Sequence, residues 1–287
     1  MISQVVSAHP HDLGGFTVGR AIPQDAVRSV GPFVFFDHFG PAQMPAGLPR
    51  EADVRPHPHI GLATVTYLFD GEITHRDSVG SQIDIRPGEV NWMTAGRGIT
   101  HPERFDGLRK TGGLLHGLQT WIALPTELEE IEPTFAHHSA EDLPTYESAD
   151  GLWARLVVGE AFGAKAKVQT HSPMFYVHWR LKAGAKAQLN PEYSERAAYV
   201  AAGSVEVAGQ TFTPGQMILF EPGHPVLFTG ITEAQVMLLG GEPLGPRFLE
   251  WNFVSSSRER IQQAMADWRA GRMKLPDLDH DEFIPLS

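Results

Sequence analysis

The sequence predicts an all-β protein of two tandem β-barrel domains with a short C-terminal helix. Three observations predict it. Gly 29 and Pro 22 are spread through 287 residues, as expected of turns between many short strands. The runs between those turns, such as Ala63-Thr64-Val65-Thr66-Tyr67-Leu68 and Ser204-Val205-Glu206-Val207, are rich in β-branched and aromatic residues and alternate. Finally, the chain repeats itself.

The repeat is carried by landmarks in one order. Tyr67 to Gly71 (Tyr-Leu-Phe-Asp-Gly) ends a strand at a turn, and Tyr199 to Gly203 (Tyr-Val-Ala-Ala-Gly) does the same 132 residues on. Pro87-Gly88 and Pro214-Gly215 follow at an offset of 127, then Gly98 and Gly223 at 125. A slowly drifting offset is what two copies of one fold leave after loops are trimmed.

Between the copies the composition changes. Residues 127 to 150 carry eight acidic side chains, with Pro133 and Pro144, so 126–150 is read as an acidic linker. The domains become 1–125, 151–254, and a helix and tail over 255–287. Ser256 and Glu259 make a capping-box pattern. Ile261, Met265 and Trp268 then share a helical face, and Gly271 stops the helix. The tail, with Asp277, Asp279, Asp281 and Glu282, is expected to pack irregularly over a domain.

Composition excludes several functions. There are no cysteines, so disulfides, thiolate zinc and iron–sulfur clusters are out. The net charge of −11 and the lack of a Lys/Arg run argue against direct nucleic-acid binding. No stretch approaches the roughly 20 apolar residues of a membrane helix, and the N-terminus lacks a signal-peptide pattern. A cytoplasmic location is expected. Nucleophile-elbow, P-loop and dinucleotide motifs are missing.

The 14 histidines supply the candidates for chemistry. His57-Pro58-His59 precedes a strand, and residues two apart on an extended chain share a face. His101-Pro102-Glu103 repeats that geometry. If the two segments are neighbours, His57, His59, His101 and Glu103 converge on one metal ion. Four protein ligands leave positions open for a substrate or dioxygen. Imidazole and carboxylate suit iron, manganese, nickel, cobalt, copper or zinc. About 0.7 His-x-His pairs are expected by chance, and His9-Pro10-His11 is a second copy of the tripeptide. It leads into the turn-like Asp12-Leu13-Gly14-Gly15, whereas His57 and His59 lead into a strand. Spacing alone does not settle the choice.

These residues resemble a known pattern. Cupins carry His-x-His, four residues, Glu, six residues and Gly. Here His57 and His59 lead to Thr64 and then Gly71, with Thr64 where most cupins have Glu. Gly98 and His101 match the second cupin motif, and Glu103 stands two residues beyond. The displaced glutamate resembles the pirin family, which has a bicupin fold of two jelly-roll barrels. Asp37-His38-Phe39-Gly40-Pro41, Trp92 to Ile99, His116 to Trp121 and Gly240 to Leu244 are similar to that family too.

The resemblance implies metal ligands at His57, His59, His101 and Glu103, with Fe(II) as the metal and Mn, Co, Ni, Cu or Zn as substitutes. It implies quercetin (flavonol) 2,3-dioxygenase chemistry with dioxygen, Glu103 acting as catalytic base. The alternative is a regulatory protein that uses its metal to engage a protein partner. A sugar-phosphate isomerase is weaker, since only Arg55 and Arg97 are near to hold a phosphate. Counting through the repeat puts Leu189, Pro191, Val226 and Phe228 at the four ligand positions of the second barrel, which is therefore expected to be metal-free. His224 reads as a loop residue.

Other residues are weighed more plainly. His75-Arg76-Asp77-Ser78 could stand beside the metal or line the barrel mouth, but a polar strand with alternating faces is the favoured reading. His137 and His138 are expected on the surface. Phe33, Phe35 and Phe36 are read as core, and Trp92 or Met93 as either core or pocket lining.

Overall fold

The computed structural model describes residues 1–13 and 16–286; Gly14 and Gly15, half of the turn expected after His11, lie outside them. Strands dominate, as the turn-rich sequence requires, and they form two compact units.

The first unit comprises residues 11–18, 39–140 and 245–287. Its larger sheet runs Thr134–His138, Val90–Thr94, Leu62–Asp70, Gly113–Ala123 and then Phe33–Met44, a strand whose first residues belong to the other unit. A four-stranded sheet of Val54–His59, Ile99–Arg104, Ile73–Arg76 and Gln82–Ile85 supplies the second layer. Leu68, Leu115, Ile73, Ile85 and Phe105 pack between these layers, so alternation along each strand is converted into one apolar core.

The second unit comprises residues 1–10, 19–38 and 141–244. Its eight-stranded sheet includes Ile2–Ser7, Gln216–Phe220, Glu195–Ala202, Ala234–Gly241, Met174–Leu181, Leu152–Ala161 and Thr145–Glu147. Four short strands, Lys186–Leu189, Val226–Gly230, Val205–Val207 and Gln210–Phe212, face it. The pairing order copies the small sheet of the first unit. Even the register is repeated: His57 opposes His101, and Leu189 opposes Val226.

The units do not follow the linear boundaries read from the sequence. Ile2–Ser7 pairs with Gln216–Phe220, so the N-terminus joins the later barrel. Residues 245–287 belong with the earlier one. Nor is 126–150 a plain linker. Thr134–His138 pairs with Val90–Thr94 as an edge strand, and Thr145–Glu147 pairs with Leu152–Ala161. Acidic composition hid these strands because an edge strand exposes one side to water.

The C-terminal helix spans Arg258–Arg269. Its cap is Ser257, one residue later than the capping pattern suggests; the Arg260 amide donates to Ser257 Oγ at 3.2 Å. Glu129 claims the earlier serines, accepting from Ser255 Oγ at 2.8 Å and the Ser256 amide at 2.8 Å. The apolar stripe is core, with Ile261, Ala264 and Trp268 buried and Met265 packed beside them.

The acidic tail is pinned rather than loose. Arg104, fully buried, donates from Nε to Asp279 at 2.8 Å and from Nη2 to Glu282 at 2.9 Å, and its Nη1 pairs with Asp53. Arg76 and Arg50 also reach Asp279. The tail bonds the two small-sheet strands that carry His57, His59 and His101: the Ile284 amide donates to the Pro56 carbonyl (2.9 Å), and Thr100 Oγ1 donates to the Lys274 carbonyl.

Candidate metal centre

Two antiparallel strands create the site. Val54–His59 and Ile99–Arg104 pair with His101 opposite His57 and Ile99 opposite His59. His57 and His59, two apart, therefore point to one face, and register sets His101 beside them. Gly61, with φ +68, turns the chain straight after the first strand, where a Cβ would collide with the Val254 carbonyl.

The three imidazoles are buried, and one ligand nitrogen from each lies within 4.8 Å of the others. Ring centroids are 4.5 Å apart for His57 and His101, and 5.1 Å for His59 and His101. Two tautomers are fixed by partners that can only accept. His57 Nδ1–H donates to the Arg55 carbonyl at 2.9 Å, and His59 Nδ1–H donates to the Asn252 carbonyl at 3.1 Å. Both Nε2 lone pairs are left facing inward.

Burial also keeps the rings neutral. Desolvation lowers the pKa of His57 to about 4, opposed by its hydrogen bond to Arg55. His59 and His101 are pushed well below the ordinary histidine value, first by burial and then by neighbouring histidines. Neutral imidazole is the form that binds a metal.

The set fits a divalent cation. His59 Nε2 stands 3.1 Å from His101 Nε2, which is close to the roughly 3 Å between adjacent ligands when each nitrogen is about 2.1 Å from an ion. His101 Nδ1 is buried with no hydrogen-bond partner among the described residues. Three buried imidazole nitrogens turned toward one another are costly without a cation. Nothing in the donors distinguishes iron from its neighbours in the series.

Glu103 lies on the same strand as His101, half-buried, after an irregularity in the pairing. Its backbone opposes Val54 on one side and His75 on the other. Its carboxylate is outside the group of ligand atoms within 4.8 Å. The structure thus gathers three of the four expected ligands and sets the fourth on the adjoining stretch of the same strand.

Further residues approach the centre, His75 among them against the favoured sequence reading. His75 packs 5.3 Å from His101, stacks on Phe135 at 4.2 Å, and bonds Asp77 through Nε2 at 2.9 Å. The polar strand therefore does reach the centre. Burial would raise Asp77, but hydrogen bonds from His75 and the Ser81 amide hold it below its usual value. Trp121 packs against His59 at 5.1 Å. Asn252, delivered by Trp251 at φ +54, contributes only its carbonyl, so no side-chain pattern could have revealed it.

The remaining candidates fall elsewhere. His9 and His11 lie on an exposed strand, and His224 sits in an exposed turn. His137 is half-buried rather than on the surface, with Nδ1 2.8 Å from Asn91 Oδ1; His138 is half-buried too. Phe33, Phe35, Phe36, Trp92 and Met93 are buried. Leu189, Val226 and Phe228 pack into the second unit's core, and Pro191 is exposed. Arg55 is exposed and Arg97 pairs with Glu132 at 2.7 Å, which leaves the isomerase reading without a phosphate cradle. No helix among the described residues is long and apolar enough to cross a membrane.

Comparison with known proteins shows the family. Residues 15–122 match the family model described as Pirin, and residues 176–274 match the Pirin C-terminal cupin domain. A pirin-like protein of Caulobacter vibrioides is 63% identical over 100% of this chain and 99% of its own. Pirin of Homo sapiens is 32% identical, covering 92% of this chain and 90% of its own. Among solved structures, a quercetin 2,3-dioxygenase from Acinetobacter baumannii superposes with a TM-score of 0.90 at 34% identity, covering 99% of this chain and 94% of that one.

Proposed function

Since the chain belongs to the pirin family, a bicupin family, we propose that it is an iron-dependent quercetin 2,3-dioxygenase. The observation that carries this reading is the trio of buried, neutral imidazoles with converging ligand nitrogens. The likeness to a solved quercetin 2,3-dioxygenase supports it.

His57, His59 and His101 would hold the ion, and Glu103, two residues on from His101, is the proposed fourth ligand. When bound, the metal supplies Lewis acidity and a path for electrons to dioxygen. The protein supplies orientation and proton handling. Arg55 and Asn252 carbonyls lock two rings in the ligating tautomer. Glu103 accepts the proton of the flavonol 3-hydroxyl, a task that suits a carboxylate carried two residues from His101 on the same strand. Trp121 packs against His59 and Phe135 against His75, keeping water from those rings.

Glu103→Gln tests the base directly. Gln keeps an oxygen donor but cannot accept the proton. Turnover of quercetin should fall by roughly 100-fold or more, with iron content unchanged. Turnover that survives this change with iron intact would show that Glu103 is not the base.

A further inference from the structure

The second barrel has an apolar chamber of its own. Its large sheet has eight strands and the facing sheet four. The small sheet is too narrow to cover the edge of the large one. Leu152 and Ala154, on the core-facing side of that edge, are consequently only half-buried. The turn after Leu152–Ala161 and the edge strand Thr145–Glu147 flank them, leaving a half-open cavity of about 420 Å³. Trp179, itself buried, forms part of its wall.

The turn that flanks this cavity is unusual. Ala161 pairs with Ala164, so Phe162 and Gly163 are a two-residue hairpin loop, both with positive φ (53° and 75°). Such loops favour Asn, Asp or Gly at the first position, and an aromatic there is disfavoured. Here the position holds Phe162, 39% exposed, with its ring 5.9 Å from Trp179. Turn preference has been given up for an aromatic at the cavity. Tyr146, 61% exposed, stands at the same opening.

The lining decides the ligand class. It contains no charged side chain, and Gln188 with two hydroxyls supplies the polar contacts. A phosphate, carboxylate or ammonium would be desolvated there without a partner. The volume is in the range of small-molecule sites and too small for a helix. We propose that this cavity binds an uncharged, planar aromatic molecule of one or two rings, packed against the adjoining Phe162 and Trp179 rings, independently of the metal centre.

Calorimetric titration of the full chain with 1-naphthol tests this. Ala154→Phe, which fills the cavity, should weaken binding at least ten-fold. Phe162→Asn should weaken it at least three-fold while leaving Tm unchanged or higher, because Asn suits the turn. Naphthalene-1-sulfonate should bind at least ten-fold more weakly than 1-naphthol, and a chelator should change nothing. The proposal fails if Ala154→Phe leaves affinity intact. It also fails if a chelator abolishes binding, which would place the probe at the metal centre, or if Phe162→Asn lowers Tm without touching affinity. Absence of naphthol binding, with a dimer that Ala154→Phe dissociates, would overturn it in favour of a second copy covering this face.

Discussion

His101 shows how a ligand differs from a core residue. Its ring is buried, faces another imidazole nitrogen at 3.1 Å and leaves Nδ1 without a partner among the described residues. A buried polar atom in that state costs about 1–3 kcal/mol. His101→Leu removes that cost along with a ligand. The metal-free variant should be at least as stable as the metal-free parent, while metal affinity drops about 100-fold or more, judged against the 10–100-fold typical of lesser changes around a metal. Thermal melts with chelator, beside metal titrations, check both halves. A metal-free variant markedly less stable than its parent would mean that His101 is simply a packing residue. The same scale explains what could be read in advance. Strand period puts His57 and His59 on a shared face, but the same holds for His9 and His11, and it took the repeat and the pirin resemblance to choose between them and to add His101. His75 was not legible, because its approach to His101 depends on sheet neighbours far apart in the chain.

Among elements, the tail matters more than its composition suggests. Asp279 is held below its usual pKa by Arg104, with Arg50 and Arg76 adding to it, although burial alone would raise it. A depressed carboxylate contributes stability above its unfolded value near 3.8 and loses it as pH falls through the lower folded value. Acid unfolding of the parent should therefore steepen below about pH 4, and Asp279→Asn should flatten that dependence. At neutral pH this substitution should cost about 3 kcal/mol, the lower end for breaking a buried pair, because Asp53 and Glu282 still face Arg104. Denaturant melts across pH decide it; an unchanged profile would remove the tail from the account. Gly61→Ala is the companion case. It places a Cβ at φ +68 against the Val254 carbonyl, so it should destabilise by about 2 kcal/mol or more and lower metal affinity with it. The helix was visible from its stripe, but its cap was displaced by one residue because Glu129, remote in sequence, takes Ser255 and Ser256. Such competition is invisible to a local pattern.

At the scale of the molecule, the duplicated barrel was legible from three landmarks and a drifting offset. The exchange of termini was not. Nothing in the residues of Ile2–Ser7 or of the region after 245 names the unit they join. That arrangement predicts where metal is felt. On chelation, hydrogen exchange should rise most at 54–59 and 99–104 and extend into 274–284, which bonds those strands. A rise confined to 141–244 would contradict it.

The central claim is that this centre performs dioxygen chemistry on a flavonol. Oxygen uptake by the iron-loaded full chain with quercetin, against the same concentration of free iron, tests it most directly. Uptake in step with quercetin loss, far above the free-iron rate and abolished by chelation, is the expected result. A rate indistinguishable from free iron would contradict it and favour a metal-dependent role through a protein partner.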